Sequence, residues 1–423
     1  AQRNKGDYDN STKKLLGKIF VKLGNTFKLS QFVEDDLKST NIPLEMIPGS
    51  NINLKKLGFT VLHEINRARY LPEISIIGSA IQTHFNMYKK CRFAISELMP
   101  IFKVLLQTFE REEEKCNNIS NVSHLNNLLS LSDSDKILLV KQQIPLFFRA
   151  VKVNFLTDEI VINDSMELLY YKNLTIHITI HQALTSFLLL SLAEERRTTK
   201  VLHQLYYIFT GFLKSEFLFD YDFNPEHQLS NVLKCLSDEG RISLADGKFL
   251  IKDEFYLSCF GEIVKPFIEA YLLCIFNLDE IIGEFSKLNG FVDIKKLLID
   301  DTGIDYPHTK TLLKKIQSRQ GSQNLSHVES TNKQYLLSCL YYLDNLKLIS
   351  IVKNKARTRA FVVVANEKDM AFIHHFLVGL LNGNSTVSDR KVAYMIDIID
   401  KNHERQLEEK VSQLSTSILK SRL

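Results

Sequence analysis

Residues 170–220 read YYKNLTIHITIHQALTSFLLLSLA, then EERRTTK, then VLHQLYYIFTGFLKSEFLFD. Apolar residues recur at helical spacing and also in unbroken blocks such as Leu188-Leu189-Leu190. The pattern predicts two helices that are apolar on more than one face and therefore buried, with the rest of the chain packing around them. Neither is a convincing membrane span. The first carries Thr175, His177, Thr179, His181 and Gln182 in its opening half, and the second carries Lys214 and Glu216 near its end. That leaves fewer uninterrupted apolar residues than the ~20 a bilayer core needs.

The chain of 423 residues exceeds one ordinary core, so two or three domains or subdomains are expected. Its net charge of +4, from 53 basic and 49 acidic residues, marks neither a polyanion binder nor an acidic tail. Abundant Phe and Tyr with few prolines and no Trp favour a helix-rich α+β chain, predominantly α. The cysteines Cys91, Cys116, Cys235, Cys259, Cys274 and Cys339 form no CxxC pair and mostly sit in apolar runs, as reduced packing residues do.

Upstream of the core pair, alternation at Ile19, Val21 and Leu23 predicts a half-buried strand ending at Gly24-Asn25, with a short helix from Ser30. Polar sequence from Asp35 to Asn53, with Pro43 and Pro48-Gly49 as breakers, follows as a linker. Residues 54–69 are amphipathic. Pro72 opens a helix to about Tyr88, and longer helical patterns run over 91–114 and 124–143. The acidic run FEREEEK, 109–115, reads as the solvated end of the first of these. Strand-like pieces lie in 149–165.

Downstream, a helix to about Asp238, strands at 242–244 and 249–251 around an Asp246-Gly247 turn, and a helix from Asp253 are expected. Pro266 suits the first turn of a further helix. After a linker at 300–324, a helix over 333–346 again precedes two strands, 348–352 and 360–364, joined by a turn with Lys353, Lys355, Arg357 and Arg359. Final helices extend to Gly379 and from Ser388. Helix, strand, turn, strand occurs twice, the outline of a winged helix. The candidate recognition helices, LSNVLKCL and YLLSCLYYL, are too apolar to read bases, so a structural use of the motif is expected.

His177 and His181 share a helix face at metal-ligand spacing, but no glutamate follows His177 and no third ligand is near. Two core-edge histidines with hydrogen-bonded rings are expected, and no metal. Acyl transfer to an alcohol needs a base, supplied where an aspartate five residues after a histidine orients its imidazole. None of the twelve histidines has that aspartate.

Several blocks, in this order, resemble the C-terminal half of the glycerol-3-phosphate and dihydroxyacetone-phosphate acyltransferase family. They are GKIFVKLGNTFKL, VLHEINRARYLPEISIIGSAIQ with Ile65-Asn66-Arg67, and ELLYYKNLTIHITIHQALTSFLLLSL with Tyr171-Lys172-Asn173 and His177. LYYIFTGFLKSEFLF and IVKPFIEAYLLCIFNL complete them. Tyr70-Leu71-Pro72 stands where the family has small residues, and Lys172 where it has Arg.

The resemblance implies a partition. Residues 1–40 would be the end of an acyltransferase catalytic domain and 41–53 a linker. Residues 54–299 would form a helical C-terminal domain, 300–324 a second linker, 325–400 a helical subdomain with a hairpin, and 401–423 a charged tail. It implies a parent enzyme that moves an acyl group from acyl-CoA to the sn-1 hydroxyl of a phosphorylated three-carbon acceptor at a membrane surface. Acyl-CoA would be a co-substrate and no cofactor would be needed. The catalytic residues are then expected upstream of Ala1, none in this chain, and the chain alone is expected to be inactive.

Ser421-Arg422-Leu423, preceded by Lys420, fits the small-basic-leucine peroxisomal address at a free carboxyl terminus. It implies a peroxisomal import receptor as partner and favours the dihydroxyacetone-phosphate branch, which opens ether-lipid synthesis. A mitochondrial glycerol-3-phosphate enzyme of the outer membrane is the alternative within the family. A winged-helix module that binds nucleic acid or protein is the alternative outside it.

Overall fold

The computed structural model describes residues 21–24, 26–40, 54–219, 223–289, 314, 327–353, 360–364, 366–383 and 387–401. The linkers expected at 41–53 and 300–324 fall outside these, apart from Lys314, and so do Ile19 and the basic turn residues Lys355, Arg357 and Arg359. The chain is mostly helical with small antiparallel sheets, an α+β fold dominated by α. It divides into two compact units, residues 1–179 with 218–224, and residues 180–217 with 225–423.

The first unit begins with extended, exposed residues. Val21 and Leu23 are 86% and 89% accessible, so the half-buried strand expected there is absent from the described part. Helix α1 (Leu29–Thr40) continues through the stretch expected to open a linker at Asp35. Helix α2 (Leu54–Arg67) is amphipathic, and no residue of it is fully buried. Helix α3 (Glu73–Tyr88) starts directly after Pro72, whose extended conformation sets the N-cap. Strand β1 (Arg92–Ala94) takes the first residues of the helix expected from Cys91, and α4 (Ile95–Lys115) follows, its start held by a bond from the Ala94 amide to Glu97.

The helix expected over 124–143 is two helices, α5 (Ile119–Ser130) and α6 (Asp133–Gln143). Ser132 breaks the run by capping α6, its hydroxyl accepting from the Asp135 amide at 3.1 Å. Strands β2 (Val151–Asn154) and β3 (Glu159–Ile162) complete an antiparallel sheet of order β1-β3-β2, with Phe93 opposite Ile160 and Val151 opposite Ile162.

The apolar run from Tyr170 is also two helices. Helix α7 (Ser165–Asn173) ends where the Thr175 hydroxyl turns back onto the Lys172 carbonyl at 2.9 Å, and α8 (Ile176–Ser191) leaves at 103° to it. In the first unit α7 lies on α3, and Gly78 makes room for it. A Cβ at Gly78 would stand 2.6 Å from that of Tyr171. Among the described residues no single helix is long and apolar enough to cross a membrane; the bent α7–α8 pair passes on length and composition alone.

In the second unit Ile180, Leu184, Phe187, Leu188 and Leu189 of α8 are buried, with Phe187 edge-on to Phe209 of α9 (Thr199–Leu213) and close to Gly261 of α11 (Glu254–Asn289). Gly261 of α11 lets the helices close, its Cβ position 3.2 Å from Leu190. The charged interruption EERRTTK is the connector. Arg197 caps the end of α8 by donating to the Leu189 and Leu192 carbonyls, and Thr198 caps the start of α9. Pro266 sits inside the continuous α11 and starts no new helix.

Helix α10 (Pro225–Asp238) precedes the hairpin β4 (Ile242–Ala245) and β5 (Lys248–Ile251), whose Asp246 and Gly247 both have positive φ, as a type I′ turn demands. Helix α12 (Lys333–Asn345) precedes the hairpin β6 (Ile349–Lys353) and β7 (Ala360–Val364). Helix α13 (Glu367–Leu381) and α14 (389–401) follow, α14 tied to α9 by a bond from Tyr207 to Asp400 at 2.8 Å.

Candidate functional site

The polar groups most elaborately placed in the first unit surround Glu113. This residue sits near the end of α4, in the acidic run expected to be solvated, yet it is fully buried. The correction has a physical cause: its carboxylate is met by donors from every side. Arg69 pairs with Oε1, while the side-chain amides of Asn118 and Asn121 donate to Oε2 at 2.7 and 2.9 Å. The same amides also reach back to the chain after α2. Asn118 donates to the Arg67 and Arg69 carbonyls, and Asn121 to that of Arg69. A buried carboxylate with this many charge-assisted bonds is stable where an unpaired one is not. The hub thus welds the end of α2, the end of α4 and the start of α5 into one rigid corner.

That corner contains Ile65-Asn66-Arg67, the block singled out from the sequence. Arg67 itself points outward, its side chain 61% accessible and bonded to Glu64 at 3.0 Å. The other block, Tyr171-Lys172-Asn173 with His177, also lies in the first unit. Tyr171 packs edge-on against Phe147, Lys172 is buried, and His177 stays at the solvent edge. Surrounding protein bulk and then Arg69 hold the His177 pKa below its ordinary value.

His181 is expected to find a hydrogen bond for its ring, and it does: Nδ1 and the Tyr206 hydroxyl are 2.7 Å apart. The next residue, Gln182, donates to Tyr256 at 2.8 Å, and the Tyr256 hydroxyl donates to Glu239 at 3.2 Å. Among the described residues no group of three or more His, Cys, Asp or Glu side chains is arranged to hold a metal. All six cysteines are free. Cys259, Cys274 and Cys339 are buried, whereas Cys91 and Cys116 are exposed and not packed as expected.

The second unit holds a histidine that sequence spacing did not single out. His327 is 1% accessible, with Nε2 at 2.7 Å from Glu262 and Nδ1 at 2.9 Å from Glu269, and its backbone amide also donates to Glu269. Burial pulls its pKa down, but the hydrogen bonds and charges of the two glutamates outweigh that and hold it above the ordinary histidine value. Such acid–histidine contacts can serve base catalysis. Here both ring nitrogens are occupied and the ring is closed off, so no substrate hydroxyl reaches it; the trio clamps the start of the 327–331 turn to α11. Its signal in the sequence was two glutamates seven residues apart, Glu262 and Glu269, flanked by apolar residues of α11.

Among the described residues the acid–histidine contacts are thus the buried His327 trio and a looser, half-buried pair of His124 and Glu73 at 3.8 Å. The family described as the glycerol-3-phosphate acyltransferase C-terminal region matches residues 9–352. The chain belongs to this family. Comparison with curated proteins finds no match. The family match takes in both sequence blocks, the Glu113 hub and the His327 clamp. In this glycerol-3-phosphate acyltransferase C-terminal region the blocks act as joints: Asn66 and Arg67 end the helix that the hub holds, and Tyr171 seats α7 on α3. Ser421, Arg422 and Leu423 lie outside the described residues.

Proposed function

We propose that this chain is the C-terminal part of an acyl-CoA-dependent dihydroxyacetone-phosphate O-acyltransferase. The observation that carries the acyltransferase reading is the family match over residues 9–352. In the proposed reaction a histidine held by an aspartate removes the proton of the acceptor hydroxyl. The oxygen attacks the thioester carbonyl, and coenzyme A leaves as the thiol, with no metal and no covalent enzyme intermediate. No histidine of this chain has an aspartate five residues later, so that base is supplied by other sequence of the parent enzyme. The helical region then braces the catalytic domain, which works at a membrane surface.

The acceptor branch and peroxisomal residence rest on Ser421-Arg422-Leu423, read by an import receptor. A reporter fused to the last dozen residues is expected in peroxisomes; a mitochondrial signal would support the glycerol-3-phosphate alternative. The parent enzyme is expected to convert labelled acyl-CoA and a phosphorylated three-carbon acceptor to monoacyl product. No product with either acceptor would overturn the reading. The non-enzymatic winged-helix alternative gains little from α12, which spends Tyr335, Leu336, Cys339, Leu340 and Leu343 on the core.

A further inference from the structure

The 327–331 turn that His327 clamps to α11 leads directly into α12, and the two helices pack on each other in the second unit. Phe267 of α11 and Tyr335 of α12 are in ring contact at 4.2 Å, and Tyr271 meets Tyr342 edge-on at 5.9 Å. Beside these contacts each helix carries a buried cysteine, Cys274 on α11 and Cys339 on α12.

The two thiols are neighbours. Cys274 Sγ donates to the Leu336 carbonyl at 3.7 Å. Helix carbonyls point toward the C-terminus, so this acceptor lies on the turn that carries Cys339, three residues on. There the Cys274 and Cys339 thiols hydrogen-bond each other. The ring contacts on α11 and α12 set the register of the helices, so the pair is placed by tertiary packing and by no local motif.

The closed packing protects the pair. Burial, and then the Cys274 thiol beside it, push the Cys339 thiol well above its ordinary pKa, and the thiolate is the form that oxidants attack. A local opening of the α11–α12 contact lets water and small oxidants reach the sulfurs. When the helices close again, an oxidised sulfur finds the other thiol already against it.

We infer that Cys274 and Cys339 form a reversible disulfide, which latches α12 to α11 when a peroxide reaches them during a local opening of this contact. The inference does not presuppose acyl transfer. One cysteine sulfur attacks the peroxide, the O–O bond breaks, and an alcohol leaves carrying the thiol proton. The second sulfur attacks the sulfenic acid so formed: the S–S bond forms as the S–O bond breaks, and water leaves with the second proton. Two thiols and one peroxide thus give one disulfide, one alcohol and one water, the peroxide taking both electrons. The 62 residues from Cys274 to Leu336 become part of one closed loop, which restricts the unfolded chain and stabilises the second unit.

The reduced full chain is treated with tert-butyl hydroperoxide, its remaining thiols are blocked with iodoacetamide in denaturant, and its peptides are mapped by mass spectrometry without reductant. A Cys274–Cys339 peptide pair, lighter by two hydrogens than the two free thiols, is expected as the main linked species and should disappear with dithiothreitol. It should form faster in urea too dilute to unfold the chain, and the oxidised protein should melt several degrees above the reduced one. Cys274→Ala should abolish both the link and the stabilisation, leaving a sulfenic acid at Cys339 that dimedone traps. Replacing the exposed Cys91 and Cys116 by serine should change neither. The wild-type peptide map decides the matter even if Cys274→Ala fails to fold. No linked pair while Cys91 and Cys116 are oxidised, a different pair as the main product, linkage only above the unfolding midpoint, or an oxidised chain that melts lower would each overturn the proposal.

Discussion

His84 offers the sharpest energetic test of the first unit. It lies on α3, fully buried, its ring stacked on Phe93 at 3.8 Å with Tyr88 at 4.8 Å, and neither ring nitrogen has a hydrogen-bond partner. Burial pushes its pKa down from 6.5 to about 4; Glu97 pulls weakly the other way and Lys90 adds to the depression. Between these values the unfolded chain holds a proton that the folded chain refuses, so stability must rise with pH across the window. The contribution is fully present above about pH 6.5 and is lost as pH falls toward 4. At ~1.36 kcal/mol per pH unit the full effect is about 3 kcal/mol, of which about 2 kcal/mol is lost by pH 5.

Replacing the imidazole by an apolar side chain in His84→Leu removes the titration. Urea unfolding of both proteins from pH 4.5 to 7.5, followed by hydrogen exchange of the α3 amides, isolates this residue, because other titrating groups cancel in the difference. The wild-type protein should lose about 2 kcal/mol relative to the variant between pH 7.5 and pH 5. A difference that stays flat across that range would refute the assignment of a neutral, unpartnered His84.

His327 should behave with the opposite sign. Its folded pKa is raised, so its stabilisation is present below about pH 6.5 and is lost as pH rises through the folded value. His327→Gln, which removes the imidazolium between Glu262 and Glu269 while Glu262 keeps Lys265, should cost about 3 kcal/mol at pH 6, and less at pH 9, by denaturant unfolding. At Gly78, alanine would place its Cβ 2.6 Å from that of Tyr171 and should destabilise by about 1–3 kcal/mol. Gly58→Ala, in α2 with nothing within 4 Å of the new Cβ, should stabilise by up to ~1 kcal/mol; thermal melting of the pair checks both signs.

Where local chemistry sets the backbone, the elements were legible from the sequence. Pro72 predicted the start of α3, and Asp246-Gly247 the β4–β5 turn. The apolar periodicity of 170–193 located the core but hid the bend at Leu174-Thr175, because hydrophobic period records burial and not helix direction. The break before α6 was readable after all: Ser132 followed by Asp135 is a capping signature inside an apolar run. Pro266 misled, since its position fits both a helix start and, as found, the interior of α11.

The polar clusters were harder to see because their partners are distant in sequence. Glu113 looked like one of several solvated acids until Arg69 and two asparagines converged on it, and His327 meets its glutamates 58 and 65 residues away. A cavity of about 620 Å³ beside the hub combines residues 22–24 with Glu64, Arg67 and Ala68 and with 115–120, a juxtaposition made only by folding.

The central claim is that the parent enzyme acylates dihydroxyacetone phosphate from acyl-CoA. Its most direct test is a side-by-side determination of kcat/KM for dihydroxyacetone phosphate and glycerol 3-phosphate with the parent enzyme and one acyl-CoA. The account predicts transfer to both compounds' class of hydroxyl, with dihydroxyacetone phosphate preferred at least tenfold. Preference for glycerol 3-phosphate, or no transfer to either, would contradict it.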